Sequence, residues 1–142
     1  MLSLIWQVRH ALPNMAGEVC SAPIHVDGAV CRAFYKLREV VARCEIAISG
    51  RRHAIDVGAS PGGWTTFLAQ SGCARVSAVD PGALTLGDSA SVSAIEHMRM
   101  RVDEALPILA SRGVSLDMYC CDMNEQPAVA VGYLMQAATR PT

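Results

Sequence analysis

The chain has 142 residues, of which 51% are hydrophobic and 18% are charged, and its formal net charge is −1. A chain of this length and apolar content is expected to form one domain with a sizeable core. The balanced charge excludes a uniformly basic nucleic-acid-binding surface, so any contact with nucleic acid must use a local patch or a partner. No apolar run reaches the roughly 18 residues that span a bilayer.

The six cysteines form no CxxC pair and no pattern with histidine at zinc-binding spacing, so we predict no metal site. We expect mostly buried, free thiols in a reducing compartment. Cys120 and Cys121 are adjacent in a predicted strand, so their side chains should point to opposite faces of the sheet.

Residues 1–27 are predicted to form a short helix, Leu2 to Leu12, ended by Pro13, and then an irregular connection rich in proline and glycine. The first seventeen residues contain Arg9 and His10 but no acid, a weak likeness to an organellar transit peptide. We therefore expect a cytoplasmic protein, with an organellar location as the weaker alternative. The domain proper is predicted over residues 28–142.

A helix is predicted from Ala29 to Cys44, where apolar residues recur within one arc of the helical wheel. Lys36 lies between the apolar and polar faces. Taken alone, Lys36 is best explained as a lysine whose stem covers apolar surface while its ammonium reaches water.

The central stretch of the sequence is residues 53–66, where a short apolar run meets a Gly/Ser/Pro-rich turn and then a helix. A strand, a glycine-rich turn and a helix in this order hold nucleotide-like ligands in α/β folds. Gly58 and Gly62 permit close backbone approach, and Pro61 stiffens the turn. A turn without any ligand is the alternative.

The type of ligand is indicated by two residues of this turn. The dinucleotide fingerprint requires a glycine where Ser60 stands, which disfavours a nicotinamide cofactor. Asp56 precedes the first glycine, and a carboxylate suits a cationic ligand better than a pyrophosphate.

Further elements follow the turn. A helix is predicted over Trp64 to Gln70, and a strand from Arg75 to Val79 ends at Asp80, which is placed to bind a ribose diol or, alternatively, to initiate a turn. Ala83 to Ala94 should be a loop with one turn of helix. A weak strand is predicted from Glu96 to Val102.

Pro107 is expected to confine the next helix to a start at about Leu106, with its end at Ser111. Asp103, just before it, could cap the helix.

The fourth strand of the domain is predicted from Ser115 to Cys121 and ends at Asp122, where ligand chemistry concentrates. Gln126 and Pro127 begin a helix to about Thr139. In a doubly wound order the strands would lie third, second, first, fourth, which leaves Leu116 to Cys121 at an open edge. We therefore expect a homodimer or a partner that completes the sheet.

Three segments resemble the FtsJ-like ribose 2′-O-methyltransferases. Asp-Val-Gly-Ala-Ser-Pro-Gly-Gly-Trp-Thr, residues 56–65, resembles their S-adenosylmethionine motif. Residues 31–39 resemble their Ser-Arg-Ala-x-x-Lys-Leu-x-Glu segment, with Cys31 in place of serine. Cys121-Asp122-Met123 resembles their Ser/Cys-Asp-Met, and residues 118–137 look most like the branch that methylates a cytidine ribose in large-subunit ribosomal RNA.

The resemblance, over residues 28–139, implies an α/β Rossmann-like methyltransferase fold with a parallel sheet and helices on both faces, incomplete at its C-terminus. It implies an RNA methyltransferase that uses S-adenosylmethionine, with ribosomal RNA as partner and no membrane. Lys36 and Asp122 would be the first two members of a catalytic Lys-Asp-Lys-Glu tetrad. The implied cofactor-binding residues are Asp56, Gly58, Ala59, Ser60, Pro61, Gly62, Gly63, Trp64, Asp80 and Asp103.

The second lysine and the glutamate of that tetrad belong to strands that the family places after residue 142. A lysine acts as a base only if its pKa falls well below about 10.4; a second cation would lower it, whereas Asp122 would raise it. The alternative to the enzyme is therefore a truncated, catalytically silent cofactor-binding or interaction module.

Overall fold

The computed structural model describes residues 31–48, 50, 53–87 and 92–138, together with the backbone of residues 3–6. The strands are β1 (Ser3–Trp6), β2 (Ala54–Val57), β3 (Val76–Val79), β4 (Ile95–Met98) and β5 (Met118–Cys121). The helices are α1 (Arg32–Arg43), α2 (Gly63–Gln70), α3 (Val102–Ser111) and α4 (Pro127–Ala138), and a single 3₁₀ turn (Val92–Ala94) precedes β4.

The strands form one parallel sheet in the order β1-β5-β2-β3-β4. Asp56 of β2 is in register with Ala78 of β3 and with Cys120 of β5, so β2 lies at the centre. The predicted α/β fold and the predicted order of the four domain strands are confirmed. Because all strands are parallel, their carboxyl ends meet at one edge of the sheet, where ligands bind in such folds.

The N-terminal segment corrects two predictions. Residues Ser3–Trp6 form a strand, so the helix predicted over Leu2 to Leu12 is wrong there; residues 7–30 lie outside the described part of the chain. β1 pairs with β5 in register from Ser3↔Met118 to Trp6↔Cys121, so the prediction that β5 is an open edge is wrong as well. The run Leu-Ile-Trp suits a strand, and it supplies partners for backbone groups that β5 would otherwise leave unpaired.

The core has two layers, one on each face of the sheet. Phe34 and Leu37 of α1 pack with α2 on one face, together with Cys120. Helices α3 and α4 cover the other face, where Cys121 is buried. The predicted opposite orientation of the two cysteines is confirmed, and the cysteines of the described residues are free thiols. Among the described helices, none combines the length and the apolar content needed to cross a lipid bilayer.

Helix α3 begins earlier than Pro107 suggested. The strand before it ends at Met98, and Val102, predicted to be the end of that strand, is the first residue of α3. Proline in a helix interior costs roughly 3 kcal/mol. The buried residues Val102, Leu106 and Leu109 lie on both sides of Pro107, and burying side chains of this size contributes roughly 1.5–3 kcal/mol each. Their burial offsets the lost hydrogen bond, so the helix continues through the proline.

Candidate functional site

A cavity of about 140 Å³ lies at the carboxyl edge of the sheet, on the face that α3 and α4 cover. It is formed by the ends of β2 and β3, the start of α3, the loop after β5 and one residue of α4. The residues that line it are Val57, Gly58, Val79, Asp80, Pro81, Met100, Arg101, Val102, Met123, Glu125 and Tyr133. The structure thus brings two of the predicted cofactor residues, Gly58 and Asp80, to one cavity.

The sequence analysis missed most of the other lining residues. Met123 had a signal, because it directly follows Asp122 at a strand end. No sequence signal marked Arg101 or Tyr133. Arg101 precedes α3 and Tyr133 lies within α4, so only the packing of these helices against the sheet brings the two residues to the cavity.

The two glycines of the turn have positive φ angles, +80° at Gly58 and +120° at Gly62. A Cβ atom on Gly58 would lie 2.9 Å from Cγ of Met123, and one on Gly62 would lie 2.6 Å from the carbonyl oxygen of Thr85. Both positions therefore require glycine for backbone conformation and for close packing of neighbouring segments. At Gly62, the space beside the Cα atom is taken by Thr85.

The segment after β3 is tied across the glycine turn by hydrogen bonds. Ser60 Oγ donates to the carbonyl oxygen of Ala83 at 2.9 Å, and the backbone N–H of Thr85 donates to the carbonyl oxygen of Pro61 at 2.6 Å. Ser60 was predicted to bind the cofactor, which stays a prediction; in the structure its hydroxyl donates to this segment. Two hydrogen bonds therefore join the glycine turn to the segment that follows β3.

Asp80 is fixed at the end of β3 by the segment that follows it. Its Oδ1 accepts a hydrogen bond from the backbone N–H of Gly82 at 2.6 Å, and its carbonyl oxygen lies 3.1 Å from Nε2 of His97. The Asp-Pro-Gly sequence therefore does form the turn that was the alternative explanation. Because Asp80 also lines the cavity, turn formation and ligand binding are compatible here.

Asp56 is fully buried beneath the turn. Its Oδ2 accepts a hydrogen bond from Thr65 Oγ1 at 2.7 Å, whereas its Oδ1 has no hydrogen-bond partner. Burial raises the pKa of Asp56 to about 7, and the neighbouring carboxylates Asp122 and Asp80 add to this rise, while the hydrogen bond from Thr65 opposes it. A buried acceptor in this state favours a proton or a cationic partner.

Trp64, the second residue of α2, carries a buried hydrogen-bond donor without a partner in the described part of the chain. Its side chain is 4% exposed, and its indole Nε1–H, a hydrogen-bond donor, is buried without a partner. Buried donors and acceptors are nearly always satisfied in folded proteins. The glycine turn is therefore preceded by a buried acceptor and followed by a buried donor, each without a hydrogen-bond partner among the described residues.

Lys36 and Asp122, the predicted catalytic pair, lie on separate elements. Lys36 is exposed on α1, and Asp122 is half-buried after β5, where its backbone N–H donates to the carbonyl oxygen of Val57 at 3.1 Å. No hydrogen bond or ion pair among the described residues joins the two side chains.

Gly63 holds α1 against the start of α2. A Cβ atom at this position would lie 2.5 Å from Sγ of Cys31 and 2.9 Å from the backbone nitrogen of Phe34. The predicted cofactor role of Gly63 is thus accompanied by a packing role, which brings the N-terminal end of α1 beside the glycine turn. Lys36 lies little more than one helical turn from that contact.

Asp103 lies away from the cavity lining. Its side chain is exposed and pairs with Nε of Arg101 at 3.3 Å. It does not cap α3 either, because the N-cap is Arg101, whose backbone N–H donates to Oε2 of Glu104 at 3.0 Å. Its position in the first turn favours the helix dipole.

Metal ligation has no support in the described part of the chain, since no group of three or more His, Cys, Asp or Glu side chains there is arranged to hold an ion.

Comparisons with known proteins agree with this architecture. Residues 29–135 match the profile of a family described as FtsJ-like methyltransferase. A protein named ribosomal RNA large subunit methyltransferase M from Thauera aminoaromatica is 37% identical over 109 residues, which are 76% of this chain and 28% of that protein. Ribosomal RNA large subunit methyltransferase E from Hyphomonas neptunium is 32% identical over 97 residues, which are 68% of this chain and 40% of that protein.

A solved structure gives a similar result for the fold. The crystal structure of a Lactococcus lactis protein, described under the name of a hemolysin, shares 25% sequence identity with a TM-score of 0.56, and the match covers 68% of this chain and 46% of that one. The chain thus spans 28% of the length of the methyltransferase M relative and less than half of the others.

Proposed function

Because this chain belongs to the FtsJ-like methyltransferase family, we propose that it is an S-adenosylmethionine-dependent methyltransferase domain that acts on a ribose 2′-hydroxyl of ribosomal RNA. The observation that carries the proposal is that the family match extends over α1, the glycine turn and the end of β5 together. The names of the two methyltransferase relatives support ribosomal RNA as the substrate.

The cavity suits the ribose and the base of such a cofactor. Asp80 uses one carboxylate oxygen to hold its own turn, which leaves the other oxygen to accept hydrogen bonds from a ribose diol. Val57, Met100 and Tyr133 supply apolar surface for a base. Asp56 and Trp64 do not line this cavity; they carry a buried acceptor and a buried donor on either side of the glycine turn, where we expect the charged amino-acid end to lie. When bound, S-adenosylmethionine supplies the electrophilic methyl group.

The chain's own residues would prepare the hydroxyl that attacks. Lys36 Nζ, in its neutral form, would take the proton from the ribose 2′-hydroxyl that accepts the methyl group, and the thioether left when the sulfonium gives up that group would be the leaving group. Asp122 orients the Lys36 ammonium that results and stabilises its charge. The glycine turn and the segment tied across it hold the reacting groups in line, because methyl transfer is a displacement that depends on alignment.

A methyl-transfer assay with isotopically labelled S-adenosylmethionine and ribosomal RNA tests this function. We expect Lys36→Met to lower the rate by about 10²- to 10⁴-fold, the usual contribution of a general base. The matched control is Arg43→Met, which removes a cation from the same helix; that guanidinium already pairs with Glu39 at 2.7 Å, so the rate should change little. Alkaline digestion of the product locates the methyl group, because a 2′-O-methyl group blocks cleavage of the adjacent phosphodiester bond.

Equal activity in the wild-type chain and Lys36→Met would remove Lys36 from the mechanism. A wild-type chain that binds S-adenosylmethionine but transfers no methyl group would instead be a cofactor-binding module.

A further inference from the structure

Two side chains at the end of β4 hold the turn of residues 80–83 (the Asp80 turn). Nε2 of His97 lies 3.1 Å from the carbonyl oxygen of Asp80. Because a carbonyl oxygen only accepts hydrogen bonds, this ring nitrogen carries a proton and donates it to the bond. Nε of Arg99 donates to the carbonyl oxygen of Pro81 at 3.1 Å. Two successive carbonyl groups of the turn are therefore fixed by side chains of one strand end.

The two side chains add little to the stability of the fold. Both His97 and Arg99 are exposed, and neither forms an ion pair with another described residue. A long exposed side chain loses rotamer entropy when it is held against a neutral carbonyl group, which cancels much of the gain from the hydrogen bond. What the two hydrogen bonds do determine is the position of the Asp80 turn.

The glycine turn holds the Asp80 turn at its other end. Ser60 Oγ donates to the carbonyl oxygen of Ala83 at 2.9 Å, while Oδ1 of Asp80 accepts from the backbone N–H of Gly82 at 2.6 Å. A Cβ atom on Gly82 would lie 2.8 Å from Ser60 Oγ and 2.9 Å from Asp80 Oδ1, so glycine is needed for this close approach. Asp80, which lines the cavity, is thus held in place from both ends of its turn.

We propose that His97 and Arg99 are positioning residues for the cofactor: they hold the Asp80 carboxylate where it accepts hydrogen bonds from the ribose of S-adenosylmethionine. The inference rests on the proposed function, which assigns that ribose to Asp80. Neither side chain lines the cavity, so each acts through the carbonyl group that it holds. A ligand binds with full affinity only to those molecules in which its partner group is already in place. Loss of either hydrogen bond lowers that fraction and therefore weakens binding.

Isothermal titration with S-adenosylmethionine tests each hydrogen bond with a pair of variants. Methionine removes the donor, whereas glutamine keeps an amide N–H at about the distance of the lost nitrogen along the side chain. We expect His97→Met and Arg99→Met each to weaken binding about two- to tenfold, the usual effect of one hydrogen bond. His97→Gln and Arg99→Gln should recover most of the affinity. Combined with Asp80→Ala, neither methionine substitution should weaken binding further, because the group that it positions is absent.

Arg112→Met is the matched control. Arg112 pairs with Glu96 of β4 at 2.6 Å, so this variant removes a cation beside the same strand without changing the Asp80 turn, and we expect unchanged affinity. Wild-type affinity in both His97→Met and Arg99→Met would overturn the inference and leave the proposed function standing. A loss that the glutamine variants share, or one that persists in full with Asp80→Ala, would overturn it as well. A wild-type chain that does not bind S-adenosylmethionine would contradict the proposed function and, with it, this inference.

Discussion

At the scale of single residues, the main feature of the site is a buried carboxylate, one oxygen of which has no hydrogen-bond partner among the described residues. Asp56 is buried at the centre of the sheet, makes one hydrogen bond to Thr65, and faces two further carboxylates, Asp122 and Asp80, in electrostatic range. In the absence of a cation such a group is more stable protonated. Ionisation of Asp56 therefore lowers the stability of the fold, and a cationic ligand would relieve that cost.

Replacing Asp56 by asparagine should stabilise the ligand-free domain at high pH. The pKa of Asp56 is raised from 3.8 to about 7 on folding, so its contribution to stability is fully present below pH 3.8 and is lost as the pH rises to about 7. Asparagine keeps an acceptor for Thr65 and carries no charge. We expect the melting temperature of Asp56→Asn to exceed that of the wild type by at least about 3 °C at pH 8, and the difference to vanish near pH 4.

Thermal unfolding at both pH values measures this, with Asp103→Asn as the control at an exposed carboxylate. A wild-type protein more stable than Asp56→Asn at pH 8 would show that a cation inside the chain already compensates the charge.

The residues of the glycine turn show which features of the site could be predicted from the local sequence and which could not. The sequence pattern predicted that Gly58 and Asp80 bind a cofactor, and both line one cavity, because the end of a parallel strand fixes the position of the next residue. It could not show that Ser60 donates to Ala83 or that Thr85 fills the space at Gly62. Those contacts depend on the path of a loop whose residues carry no periodic signal.

At the scale of elements, β1 is the main departure from expectation. A strand of four residues at the N-terminus is too short for its periodicity to distinguish it from a helix. Its identity is decided by β5, whose backbone groups need partners and with which Ser3–Trp6 pairs in parallel. Helix α3 likewise continues through Pro107 because of the side chains that it buries. In both cases tertiary packing overrides the local signal.

Proline substitution in β1 tests whether this strand protects β5. Successive residues of a strand direct their N–H groups to opposite sides, so only one of Leu4 and Ile5, which lie in register with Tyr119 and Cys120, can donate to β5. Proline is tolerated where the N–H faces outward and not where it pairs. We expect one of Leu4→Pro and Ile5→Pro to resemble the wild type and the other to self-associate through the uncovered edge.

Size-exclusion chromatography with light scattering over a dilution series distinguishes the two variants. Identical behaviour of both variants and the wild type would mean that β1 does not protect the sheet. The predicted homodimer lost its structural reason once β5 was found to be covered.

At the scale of the whole molecule, the candidate site lies at one edge of a parallel sheet that is covered by helices on both faces. Helices α1 and α2 close one face and helices α3 and α4 the other, and the predicted catalytic residues, the cavity and the glycine turn are carried by elements from both layers. The order of the domain strands was predicted from the strand order of doubly wound methyltransferases, and the structure confirms it. The relative placement of Lys36 and Asp122 could not be predicted, because each depends on how a separate layer packs.

Isothermal titration of the intact chain with S-adenosylmethionine, its demethylated product and NAD tests the central claim, which is that this edge binds S-adenosylmethionine. We predict micromolar dissociation constants for the first two, about −7 to −8 kcal/mol, and no binding of NAD. Asp80→Asn, which places a donor where the ribose requires an acceptor, should weaken binding about tenfold or more, whereas Asp103→Asn, outside the cavity lining, should leave it unchanged. A chain that binds NAD, or that binds S-adenosylmethionine with the same affinity in Asp80→Asn, would contradict the account.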